Sequence, residues 1–290
     1  MISKTFIPHQ SRKRVKFSIP LALTYVAVCG YVLFLGFPFL WMLTTSFKTP
    51  YELLKLKQSI FPHGFYLHNY VEILQKRGLI RSILNSLVVA TVTMFSTIVI
   101  AVPAGYAMAR LRKEIGHVAT GWILISQVFP VSLIIIPLFV VVRKIGLLDS
   151  LPGLMIVYLV ANLPFALWMI RGYVSGIPKD LEEAAAVDGA SSFKILSRIV
   201  LPLLIPGIIS TSLFTFVSAW NEFFFALVLI QSPGKETLPL LLARFMGSEG
   251  QVLLGPLAAG AFIATIPSLI VFAIIQRKFS SGLLSGAVKG

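Results

Sequence analysis

Acidic residues are scarce in this chain. Only 11 of its 290 residues are Asp or Glu, against 25 Lys and Arg, and charged residues make up 12% of the sequence. That is about half the share of a soluble domain. With 57% hydrophobic residues and a mean hydropathy of +0.88, the composition excludes an ordinary soluble domain and places the chain among membrane proteins. Cysteine is nearly missing too. Cys29 is the single one and lies inside an apolar run, so neither a disulfide framework nor a cysteine metal site is possible within this chain. The four histidines, His9, His63, His68 and His117, sit in tails or loops, and none pairs at metal-ligand spacing. A hydrolytic centre inside a membrane bundle needs a base there, and no apolar run supplies a histidine. The phosphate-cradling pattern Gly-x-x-x-x-Gly-Lys-Ser/Thr is missing as well. Gly234-Lys235 is followed by Glu236 and has no upstream glycine, so any ATP hydrolysis belongs to another chain. No internal repeat or low-complexity tract is visible.

What the chain has is long apolar runs, at about 19–43, 83–108, 120–142, 153–171, 204–231 and 256–275. Each is long enough to cross a bilayer as a helix, and none alternates as the strands of a membrane barrel would. The expectation is an all-α, polytopic membrane protein of six transmembrane helices spanning 19–275, with a basic tail at 1–18 and a second tail at 276–290. The first run is longer than a signal-peptide core and lacks a small-x-small cleavage pattern, so it reads as a retained span. Pro103, Pro130, Pro137, Pro164, Pro206 and Pro267 fall inside runs. Such breaks fit helices bent around a pathway, or simply the higher Pro content of membrane helices.

With both termini in the cytoplasm, 15 of the 25 Lys and Arg residues fall on the inner side, as the positive-inside rule asks. The formal charge of +14 then serves topology and calls for no nucleic acid. The loop at 47–81 is the longest outer one, mixes aromatics with Lys48, Lys55, Lys57, Lys76, Arg77 and Arg81, and is expected to fold as a small cap. Four polar residues stand out within the runs: Gln127, Asn162, Asn221 and Glu222. A buried acid in a membrane helix costs at least about 2.5–3.5 kcal/mol, so Glu222 is either a pathway or subunit-seam residue or half of an interhelical pair. The amides either line the pathway or tie helices together.

The inner segment 172–203 is unlike its surroundings. Pro178 suits a helix start. Asp180, Glu182 and Glu183 fall in the first turn, where the helix dipole favours acids, and Leu181, Ala184 and Ala185 share a face at i, i+3, i+4 spacing. Gly189 follows Asp188 where a left-handed stop is expected. Ser191 or Ser192 suits the cap of a second helix, running through Phe193, Leu196, Ile199 and Val200 to Pro202. Two short helices about a glycine suit a lever that takes a push from a soluble partner. A merely solvated helical loop is the plainer alternative.

The spacing Glu183-Ala184-Ala185, Gly189, Ile199, Leu201-Pro202 resembles the signature loop of binding-protein-dependent ABC importer permeases. "QVFP" at 127–130, "IPLFVVVRKIGLLDS" at 136–150, "SAWNEFFFALVL" at 218–229 and the ending "SGLLSGAVKG" make the chain similar to the second permease subunit of maltose and multiple-sugar importers. The resemblance implies the type I importer permease fold in a prokaryotic cytoplasmic membrane. It implies a homologous sister permease, two cytoplasmic ATPases that bind ATP and Mg, and an external sugar-binding protein. It makes this subunit non-catalytic, with no cofactor of its own. It puts ATPase coupling on Glu182, Glu183, Ala184, Ala185, Asp188 and Gly189. The tail at 282–290, with small residues and Lys289, is expected to lie ordered against the ATPase pair; a frayed terminus is the plainer alternative. Importers of non-sugar solutes share the loop. A secondary transporter would show paired inverted halves, which are not seen.

Overall fold

The structure, a computed structural model, describes residues 19–76, 78–110, 113–246 and 253–287. The basic tail 1–18 and Lys289 lie outside them. Regular structure among the described residues is helical throughout: α1 (Ile19–Ser46), α2 (Leu79–Arg110), α3 (Lys113–Ser126), α4 (Val131–Lys144), α5 (Leu151–Ser175), α6 (Asp180–Val187), α7 (Ser192–Asn221), α8 (Phe224–Leu229), α9 (Leu238–Ala243) and α10 (Leu254–Ala287).

Five of these, α1, α2, α5, α7 and α10, are long and apolar enough to cross a membrane. The third run, expected as one crossing helix, is two. Its 14-residue halves α3 and α4 each reach only about 21 Å, short of a hydrocarbon core about 30 Å thick. The break falls at Gln127–Pro130, because Pro130 has no N–H and pushes the residue before it out of helical geometry. The fifth run also divides, at Glu222, which turns extended (φ −69°, ψ 130°) between α7 and α8. Elsewhere the helices run through their prolines, Pro38, Pro103, Pro164, Pro206 and Pro267. The C-terminal backbone stays helical to Ala287 as a continuation of α10.

Helices α2, α5 and α7 pack on one another, and α1 leans on α10. One buried cluster gathers Leu154, Tyr158, Trp220, Phe225 and Leu229; a second gathers Ala101, Ala166, Ile170, Val174 and Leu204. The α2–α5 approach is close because Gly105 has no side chain. A Cβ there would stand 2.7 Å from Ile170 Cγ2 and 3.2 Å from the Arg171 amide nitrogen. Most of α1 is bare, leaving its apolar surface for lipid or another chain.

At one end of the bundle, residues 47–76 form the expected cap. Glu52 closes a capping box with Thr49, and its Oε1 also accepts from the His63 amide at 2.9 Å and pairs with His63 Nδ1 at 2.5 Å. Hydrogen bonds from the Thr49 and His63 amides hold the Glu52 carboxyl down to about 2. Lys48 is buried, with Nζ over the Trp41 ring and donating to the Ser59 carbonyl at 2.7 Å. Beside the cap, Asp149 (φ 53°) accepts from the Gln231 and Ser232 amides at 2.9 Å, from Ser232 Oγ at 2.5 Å and from Lys235 Nζ at 3.0 Å. The Ser232 bonds hold its carboxyl well below the usual range.

The α2–α5 contact predicts an asymmetry. Gly105→Val overpacks that seam and lowers stability by about 1–3 kcal/mol. Gly36→Val, on α1, meets nothing within 4 Å and leaves stability almost unchanged. Thermal unfolding in detergent compares the two, and equal losses contradict the packing described.

Candidate functional site

At the opposite end of the bundle the chain leaves α5, turns at Gly176–Lys179 and forms α6. Three acids sit in its first turn, where free N–H groups and the dipole stabilise them. Lys179 is the N-cap and the Glu182 and Glu183 amides bond its carbonyl. Gly189 ends the helix at φ +81°, the left-handed conformation expected, with its amide on Ala186 O and the Ala190 amide on Ala185 O. Ser191 precedes α7 but makes no side-chain cap bond. The first part of α7 widens into a π-helical turn at Leu196–Val200, where the Leu201 amide reaches back to Leu196 O. Pro202 follows and has no N–H for the Arg198 carbonyl.

The acids of this hairpin divide. Glu182 is buried and turned inward. Its Oε1 accepts from Arg110 Nε at 2.9 Å and from Arg110 Nη2, and its Oε2 accepts from Tyr106 Oη at 2.8 Å. Arg110 Nη2 also bonds Ile177 O at 3.2 Å. Burial pushes the Glu182 carboxyl up, but the Arg110 and Tyr106 hydrogen bonds and the Arg110 charge outweigh it and hold it below its ordinary value. Asp180, Glu183 and Asp188 stand exposed. The alanine face divides too: Ala184 is open, while Ala185 packs with Ala190 and Leu196 on the inner cluster. Two apolar side chains are left bare, Val187 at 87% and Phe193 at 79%. Phe193 was expected only as part of the second helix, and Val187, Arg110 and Tyr106 were not singled out. The signal for the last two was there, since residues four apart share one face of α2.

The four polar residues within the runs do not come together. Glu222 Oε1 and Oε2 accept from the Phe225 and Ala226 amides at 2.9 and 3.3 Å, capping α8. Asn162 is buried and donates to Tyr158 O in its own helix, and Asn221 does the same to Val217 O. Neither amide ties one helix to another. Gln127 lies at the α3–α4 break and lines a cavity of about 280 Å³ with Ser126, Phe129, Pro164 and Phe225. Asn221 lines a separate, mostly apolar cleft of about 680 Å³ between α1, α7 and α10. No cluster of His, Cys, Asp and Glu that could hold a metal occurs among the described residues.

Comparison with known proteins gives these features a context. A family described as binding-protein-dependent transport system inner membrane component matches residues 101–284. A putative ABC transporter permease protein, ORF1, of Streptomyces antibioticus is 52% identical over 223 residues, 77% of this chain and 97% of that protein. The diacetylchitobiose uptake system permease protein DasC of Streptomyces coelicolor is 36% identical, covering 91% and 96%. The trehalose/maltose transport system permease protein MalG of Thermococcus litoralis is 34% identical, covering 88% and 91%. A solved bacterial ABC transporter involved in import of the acidic polysaccharide alginate superposes with a TM-score of 0.75 over 95% of this chain and 100% of that one; at 23% identity it supports the fold.

The Glu182 pair has a pH signature. Glu182→Gln leaves the poorly exposed Arg110 without its counter-charge, a loss of about 3 kcal/mol. Because the folded carboxyl titrates below its unfolded value of about 4.3, the wild-type advantage is complete above that pH and fades as pH falls through the lower folded value. Thermal unfolding of both proteins between pH 7 and pH 3 reads it. A deficit that is constant across that range contradicts the assignment.

Proposed function

The chain belongs to the family of inner membrane components of binding-protein-dependent transport systems, and from that premise we propose that it is a permease subunit of an ATP-driven importer of a sugar or oligosaccharide. It pairs with a homologous sister permease. Two cytoplasmic ATPase subunits dock on the two permeases, and an external binding protein delivers the sugar. ATP and Mg are bound by the ATPases, and this chain contributes no catalytic group. It is a multi-pass protein of the cytoplasmic membrane, with the α6–α7 hairpin and both termini inside.

One observation carries the reading. The hairpin at Asp180–Phe193 presents three exposed acids and two bare apolar side chains beside a left-handed glycine. A bare apolar surface rimmed by charge is what a docking partner covers. The partner's push enters where α6 meets a helix that continues into the membrane as α7. The sugar class is supported by what DasC and MalG are named for. The α3–α4 break beside Gln127 suits a translocation path. Interrupted membrane helices free backbone groups to line a polar path.

Deleting the gene and measuring uptake of labelled trehalose, maltose, diacetylchitobiose, an amino acid and phosphate tests the substrate class. Loss of uptake of one sugar, restored by the wild-type chain, is expected; loss confined to the amino acid or phosphate contradicts it. Glu183→Lys and Gly189→Val should both insert yet restore uptake about tenfold less well, the scale of a lost coupling energy. The first reverses an exposed docking charge. The second forces a β-branched residue to φ +81°. Full uptake by both variants contradicts the coupling role. In a Cys29→Ser background, Lys57→Cys should react with an impermeant thiol reagent on intact cells and Ser192→Cys only after permeabilisation. The reverse pattern inverts the orientation.

A further inference from the structure

A push on α6 enters the bundle along the chain, back through the turn Gly176–Lys179 to α5 or onward through α7, or else across a non-covalent contact. The way through α7 crosses Gly189 at φ +81°, then the π-helical turn Leu196–Val200, then Pro202. Each of these is a place where a helix yields: a left-handed single residue, a widened turn, and a position with no amide to bond. The non-covalent way is short. Glu182, in the first turn of α6, is buried and held by three hydrogen bonds from Arg110 and Tyr106, one turn apart on α2. Arg110 is in turn fixed to the Ile177 carbonyl at 3.2 Å. The groups facing Glu182 are Arg110, Tyr106 and Lys179.

The far end of this link is held by packing. Helix α2 runs for 32 residues through Pro103 and packs along both α5 and α7. Gly105, one residue from Tyr106, sets α2 against Ile170 so closely that a single methyl would not fit. Movement of Arg110 therefore moves the packed core. Its outer half is joined by Asn85 Nδ2 to the Gly234 and Glu236 carbonyls at 3.2 and 2.9 Å, and by Ser86 Oγ to the Leu238 amide at 2.7 Å.

We propose that Glu182 does not dock the ATPase but is the foot of a strut, Glu182–Arg110–Tyr106, that carries the motion of α6 into α2. The inference rests on the proposed function and deepens it. Neighbouring acids divide the work: Glu183 faces the partner and Glu182 faces the membrane domain. Both are positioning residues and neither touches substrate. A strut of this kind needs a bidentate cation, since Arg110 grips one carboxylate oxygen through two nitrogens while holding Ile177 O. A lysine there has no such fork.

The test uses the full complex of this chain with its sister permease and ATPases, reconstituted in proteoliposomes in a Cys29→Ser background. A reporter thiol is placed at Ala107→Cys, an exposed position near the inner end of α2. Its maleimide labelling rate is read with and without ATP plus vanadate. The wild-type strut should give a clear change in rate on trapping. Glu182→Gln should keep the ATPases bound and hydrolysing but reduce that response about tenfold, and Arg110→Lys should do the same. The exchanged pair Arg110→Glu with Glu182→Arg should restore part of it, which separates a strut from mere loss of fold. An unchanged response in Glu182→Gln overturns the proposal. So does loss of the ATPases from that variant, which would make Glu182 a docking residue. The readout uses no sugar, so a wrong substrate class leaves it intact. A wild-type chain that binds no ATPase overturns both this strut and the proposed function.

Discussion

A carboxylate in a chain this apolar must be met by N–H groups or by a cation, because the membrane core offers it no water. Three acids are met by pairs of backbone amides at points where the chain turns. Glu52 takes Thr49 and His63, Asp149 takes Gln231 and Ser232, and Glu222 takes Phe225 and Ala226. Two more are met by arginine: Glu182 by Arg110 and Glu236 by Arg244. These five fix the cap, the loops at one end of the bundle, the start of α8 and the seat of α6. Asp180, Glu183 and Asp188 stand exposed on one hairpin. Of these eight acids, five are thus bound into the structure and three are concentrated on a single surface.

That division gives the hairpin two faces with different chemistry. Inward, it is anchored by one ion pair and by Ala185, Ala190 and Leu196 on the inner cluster. Outward, it offers acids and bare Val187 and Phe193. The outward face suits a soluble partner; the inward face makes the membrane helices follow it. The remaining helices supply resistance through close packing, which tolerates sliding but little compression.

Much of this was legible in the sequence because the signals were local. Helix α6, its acidic first turn and its left-handed stop at Gly189 follow from residue order alone. So do the apolar runs and the small cap. What sequence could not supply was pairing across distance. Glu182 and Glu183 are neighbours with the same chemistry, and only the position of Arg110, 72 residues away, decides which of them turns inward. The hydrogen bonds that Glu222 makes at the start of α8 were hidden for the opposite reason. Its partners are three and four residues on, but a break after Asn221 had to be seen before a cap could be. Pro130 signalled the α3–α4 break, yet a run of apolar residues that long reads as one span until its backbone is followed.

The outward face of the hairpin can be examined directly. A photoreactive amino acid placed singly at Val187, Phe193 or Ile195 in the assembled complex reports what each position touches. Val187 and Phe193 are bare and Ile195 is buried in the inner cluster. Cross-links to an ATPase subunit from 187 and 193, with none from 195, are expected. Positions 187 and 193 that link only to lipid, or to nothing, in an assembled and active complex would contradict the role assigned to this surface.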